Sequence, residues 1–229
     1  MKKYVWWSSI VAIILIVGAF LLGRFVFPEG KLATLPKPEI AEGQCGELGI
    51  DKNVNEETID SYLGRSDAVY RDMRMLVDPG NYEAVGGDSM LSGFVNGFTV
   101  VPFPYVANVS GLPEEVGNTY TGTTLFRQHS DGSITPNYEE SMDILEALFP
   151  KDKVIFLMCG GGGYAGMMKN LLVTLGWDET KIYDVGGYWF YNGNNNVEVK
   201  RTNGNNEIVY DFYKVPMYNI DFSSLTEIR

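Results

Sequence analysis

The run that decides the fold is Lys153-Val154-Ile155-Phe156-Leu157-Met158-Cys159-Gly160-Gly161-Gly162-Gly163-Tyr164-Ala165. Residues 153–158 are almost wholly apolar, which fits a strand buried on both faces of a parallel sheet. From Ala165 onward, Met168, Leu171, Leu172 and Leu175 recur at helical spacing, and Gly176 supplies a stop. Cys159 and four glycines stand between strand and helix. Residues 181–185 read as the next short strand, closed by Gly186 and Gly187. Strand, loop, helix and strand in this order predict an α/β fold with a parallel sheet flanked by helices.

Reading outward, residues 54–63 have helical spacing, with Ile59, Tyr62 and Leu63 on one face and Asn55 as N-cap. Residues 68–72 predict a strand, and 100–103 form a second short apolar run. Residues 139–149 predict an amphipathic helix stopped by Pro150. Downstream, Asn203-Gly204 lies between the alternating runs 197–200 and 207–213, a hairpin signal. Residues 193–229 are expected to be a C-terminal β extension.

The first residues follow a different logic. Lys2 and Lys3 precede an uncharged run from Tyr4 to Leu22, ended by Arg24, with Trp6 and Trp7 near one edge. About 20 apolar residues cross a bilayer, and aromatic rings favour its interface. Residues 1–27 are therefore expected to be a single-pass signal anchor with the soluble domain on the extracytoplasmic side. A cleaved signal peptide is the competing reading. Residues 28–53, with Pro28, Pro36 and Pro38, read as an extended, exposed linker.

Composition removes several classes of function. The chain has 18 Lys and Arg against 29 Asp and Glu, a net charge of -11, and no basic cluster to hold nucleic acid. One His and two Cys are too few for the usual His/Cys zinc site, a cysteine-ligated iron–sulfur cluster or a disulfide scaffold. The glycine loop lacks the Lys-Ser/Thr ending of a phosphate-binding P-loop. A serine triad would have to use His129, and no Gly-x-Ser-x-Gly elbow supports one. No cofactor and no metal are expected.

The chemistry is expected at Cys159. Sites in open α/β sheets collect at the carboxyl ends of strands. Glycines let successive amides form an anion-binding nest, and the helix N-terminus adds partial positive charge. A cysteine so placed is expected to have a lowered pKa and to act as a nucleophilic thiolate. The alternative reading is a small buried hydrophobe beside a tight turn.

At this point residues 54–192 resemble a rhodanese-like domain, in single copy. In that family a cysteine opens a six-residue loop between a buried strand and a helix. The helix typically ends in Leu-Gly and an aromatic, followed by a short strand, Gly-Gly and a Trp. Here Cys159 opens the loop, Leu175-Gly176-Trp177 ends the helix, and Gly186-Gly187 and Trp189 follow. Asp72-Met73-Arg74 resembles the family's Asp-x-Arg motif, and residues 93–98 its Gly-His-Ile-x-Gly-Ala segment, with Phe94 in place of the His.

The resemblance implies a sulfurtransferase that carries sulfane sulfur as a persulfide on Cys159. Gly160, Gly161, Gly162, Gly163, Tyr164 and Ala165 would bind a small anionic donor, with Asp72 and Arg74 in support. A thiol or other thiophilic acceptor would take the sulfur away. Tyr164 stands where many members have an Arg, and the loop holds no cation. Residues 104–138, with Arg127 and His129, are an insertion that could act as a lid or supply that cation. A binding module that keeps the fold, or a redox protein pairing Cys159 with Cys45, are the other readings. Cys45 stands as a free thiol, a resolving partner or a disulfide partner.

Overall fold

The computed structural model describes residues 33–41, 49–74, 92–108 and 123–228. The expected membrane segment at 1–27 and Cys45 lie outside the described residues. Among the described residues no helix is long and apolar enough to cross a membrane.

Eleven strands and three α-helices appear among the described residues. Strands β1 (Ala68–Asp72), β2 (Gly93–Val95) and β3 (Thr99–Val100) come first. A one-turn helix α1 (Phe103–Val106) follows, then β4 (Ala107–Asn108), β5 (Phe126–Gln128) and β6 (Ile134–Pro136). Helix α2 (Ser141–Leu148), strand β7 (Val154–Cys159), helix α3 (Gly163–Thr174) and strand β8 (Ile182–Gly187) complete the central unit. Strands β9 (Asn196–Glu198), β10 (Lys200–Thr202) and β11 (Ile208–Tyr210) lie beyond it.

The central sheet has the order β3-β1-β7-β8, and every pair in it is parallel. The expected α/β class with a parallel sheet flanked by helices is therefore observed. Side chains alternate across a strand, so β7 divides its residues between two faces. Ile155, Leu157 and Cys159 join a buried cluster with Met168, Leu171 and Leu172 of α3 and Leu145 and Leu148 of α2. Each such fully buried side chain contributes about 1.5–3 kcal/mol. On the other face Tyr70, Phe156 and Tyr183 sit in register on adjacent strands and stack at 5.0 and 5.2 Å between ring centres.

Several expectations shift. Residues 54–63 form only a 3-10 turn at Ile59–Tyr62, because Asn55 spends its side chain locally. Its Oδ1 accepts from the Glu57 amide at 3.1 Å, a turn that competes with an α-helix. The hairpin forms as β10 against β11, but Val197 pairs instead with Phe94 of β2. Residues 193–229 are not simply an appended β extension. Met217 bridges Val100 in parallel, and the Tyr218 amide donates to the Val100 carbonyl at 2.9 Å. The C-terminal segment thus caps the exposed edge of β3, and Phe222 and Leu225 pack against the main core. Ile50 and Asp51, at the end of the expected linker, are buried, and the Asp51 amide donates to the Asp184 carbonyl on the β8 edge at 2.8 Å.

Candidate functional site at the carboxyl end of β7

The parallel register brings the carboxyl ends of β1, β7 and β8 together. Asp72 lies beside Met158, and Cys159 lies beside Gly187. The chain turns at Gly160, Gly161 and Gly162, and α3 starts at Gly163, so Tyr164 and Ala165 belong to its first turn. Gly162 takes φ +98°, the left-handed region that glycine enters without steric cost. That turn aims the Gly162 amide back at the cysteine, donating to Sγ at 3.1 Å. The Ala165 amide also favours negative charge on the sulfur. Two backbone donors therefore face the thiol, as the glycine loop suggests.

The thiol's ionisation departs from the sequence-based expectation. Cys159 is only 3% exposed, and burial pushes its pKa up to about 11. Asp184 and Asp72 push in the same direction, against the two amides. The expected lowering overlooked desolvation, which disfavours a thiolate in apolar surroundings. It also overlooked the carboxylates that neighbouring strands deliver to the same end of the sheet.

Trp189 closes the loop from outside. Its amide donates to the Gly160 carbonyl at 3.1 Å. Its indole lies against the loop, so a Cβ on Gly160 would stand 2.7 Å from Cζ2 and one on Gly161 3.2 Å from Cζ3. Gly187 packs more tightly still, with a Cβ there only 2.3 Å from the Gly160 carbonyl oxygen. Tyr164 stacks on Phe103 of α1 at 5.5 Å between ring centres. Tyr164 is thus part of the packing between α3 and α1.

Asp72 and Arg74 form a buried ion pair. Arg74 Nε donates to Asp72 Oδ1 at 2.9 Å and Oδ2 at 3.0 Å, and Nη2 closes the pair on Oδ2. Nη2 also donates to the Gly93 carbonyl at 3.0 Å, and the guanidinium lies 4.3 Å over the Tyr188 ring. The cation is committed to structural partners at the sheet end next to the loop.

Arg127 and His129 are not gathered to this site. Both lie on or beside β5, in the separate sheet β4-β5-β6, where Arg127 is exposed. His129 Nε2 is 2.9 Å from Thr135 Oγ1. Among the described residues no group of three or more His, Cys, Asp or Glu could hold a metal ion.

Sequence reasoning missed Asp184. It is fully buried on β8, where the Gly186 amide donates to its Oδ1 at 2.9 Å. Oδ2 is buried without a hydrogen-bond partner among the described residues. Burial is the main cause that pushes this carboxyl up to about 8, and Glu56 and Asp51 add to it while Lys169 opposes it. The sequence does show an acid inside an otherwise apolar strand two residues before Gly-Gly, which is the signal that was available.

Compared with known proteins, the chain matches no family model, no curated protein and no solved structure.

Proposed function

We propose that this chain is a membrane-anchored, rhodanese-like sulfurtransferase that carries sulfane sulfur on Cys159. The observation that carries the reading is the placement of the thiol. It ends a central parallel strand, opens a glycine turn into a helix N-terminus, and accepts the Gly162 amide at 3.1 Å. The Cys159 thiolate would attack the outer sulfur of a donor such as thiosulfate. A Cys159 S–S bond forms as the donor's S–S bond breaks, and sulfite leaves with that electron pair. An acceptor thiolate or cyanide then takes the outer sulfur and returns Cys159 as thiolate, a ping-pong sequence. Residues 1–27 would hold the domain at the extracytoplasmic face, and nucleic acid has no part in the scheme.

The closed site sets a condition on this reaction. With a pKa of about 11, about one thiol in ten thousand is ionised at neutral pH. Sulfur transfer therefore requires the site to open and admit the donor to the buried thiol. The same closure favours a second reading, a binding module that keeps the fold and recognises its partner without thiol chemistry.

Intact mass spectrometry of the full chain after exposure to thiosulfate, and separately to polysulfide, tests the proposal. The expected result is a gain of one sulfur that is absent in Cys159→Ser and reversed by cyanide. No gain from either donor, while Cys159 still reacts with a small alkylating agent, would leave the binding module as the better reading.

A further inference from the structure

The buried carboxyl of Asp184 has no role in the scheme above. Strand β8 carries a bulge here: Leu157 pairs with Asp184, but Met158 already pairs with Gly186. Bulges near sites re-aim side chains. At this one, Asp184 Oδ1 takes the Gly186 amide and holds that glycine at φ +95°. Gly186 in turn packs on Gly162, whose Cβ position is 3.6 Å from the Gly186 Cα. Gly162 is the residue whose amide donates to the Cys159 sulfur. A short chain of contacts thus runs from the Asp184 carboxyl to the thiol.

The surroundings of Asp184 are unusual for a carboxylate that serves only structure. Buried charges are ordinarily paired and fully hydrogen-bonded. Here Asp184 Oδ2 lacks a hydrogen-bond partner among the described residues, and so does Glu56 Oε2, which fills the space that a Cβ on Gly186 would take. Asp51, from the segment that pairs with β8, uses both carboxylate oxygens on the amides of Glu39, Asn53 and Val54. Lys169 of α3 is the cation that acts on Asp184, and Cys159 of β7 is the nucleophile that Asp184 acts on. Asp72 is the other carboxylate acting on the thiol, and it is ion-paired with Arg74.

We propose that Asp184 is a positioning residue for Cys159: its carboxyl holds Gly186 beneath the sulfur-binding turn, and its protonation state sets how readily the thiol ionises. A neutral Asp184 leaves the two amides to favour the thiolate. An ionised Asp184 opposes it. The two groups therefore titrate as a coupled pair, and the thiol's reactivity climbs with pH in two steps rather than one. Burial pushes the Asp184 carboxyl up to about 8, which puts the first step within the pH range of the experiment.

The test is alkylation of Cys159 by iodoacetamide in the full chain, followed by mass at the Cys159 peptide, from about pH 6 to about pH 10. This proposal rests on Cys159 being the reactive group, and the assay needs no sulfur donor. Failure of sulfur loading and failure of the coupling are therefore told apart. The expected wild-type profile rises, flattens as Asp184 ionises, and rises again. Asp184→Asn is expected to remove the flat region and to react roughly tenfold faster on its alkaline side, one unit of thiol pKa. Asp184→Glu, which keeps a titrating carboxyl, is expected to retain two steps. A single-step wild-type profile overturns the proposal, whether or not the Asn variant folds. Parallel profiles for wild type and a folded Asp184→Asn overturn it equally.

Discussion

Replacing the loop glycines one at a time by alanine separates positions that look identical in the sequence. Gly162 sits at φ +98°, where a Cβ costs about 1–2 kcal/mol from its clash with the following carbonyl. The added methyl would also stand 3.0 Å from Ile50 Cδ1, tight enough that the isoleucine must give way. Gly163 is its opposite. It opens α3 with nothing within 4 Å of a Cβ, and its φ is ordinary. Alanine there restricts the unfolded chain and suits a helix, a gain of about 0.5–1 kcal/mol. Gly162→Ala and Gly163→Ala should therefore differ by about 1.5–3 kcal/mol, with opposite signs relative to wild type. For a chain of this size each kcal/mol moves Tm by about 2–4 °C, so the two melts should be separated by about 3–12 °C. Thermal unfolding of the full chain, followed by circular dichroism, reads this directly. Gly162→Ala should also disturb the amide that donates to Cys159, and so change the alkylation rate, whereas Gly163→Ala should not. Equal melting temperatures for the two variants would refute the geometry of the turn.

The other predictions concern Trp189, the ion pair and a pH dependence. Trp189→Ala uncovers Gly160 and Gly161, so Cys159 should alkylate faster at fixed pH; an unchanged rate would mean that the indole does not control access. Arg74→Met strands a fully buried Asp72 carboxylate and should cost about 3–5 kcal/mol in chemical denaturation. A loss below about 1 kcal/mol would mean that the pair is worth no more than an exposed one. Asp184 is raised in the fold, so its contribution is fully present below the unfolded carboxyl range and is lost as pH climbs through about 8. Asp184→Asn should accordingly gain stability relative to wild type more at pH 8 than at pH 5, and a pH-independent difference in Tm would refute the assignment.

The core of the fold was legible in residues 153–187 because apolar runs, helical spacing and glycine punctuation are local signals. Strand β1 falls at residues 68–72 as the pattern predicts, and β7 and α3 start and end within two residues of expectation. The 54–63 segment was not legible as a turn, since its helical spacing competes with an Asn55 side-chain bond that only the folded segment reveals. The C-terminal residues read as alternating strands, and their docking along the β3 edge depends on a partner more than a hundred residues away.

By itself the sequence determined which residue is the candidate nucleophile and what kind of loop holds it. Cys159, the glycines after it and the flanking strand and helix are contiguous, and their geometry follows from local backbone preferences. Tertiary structure alone decided the electrical character of that site. Burial and the arrival of Asp72 and Asp184 from parallel neighbouring strands push up the pKa of a thiol expected to be lowered. Desolvation and charge act through space, so residues far apart in the chain settle the pKa of one that local sequence had placed.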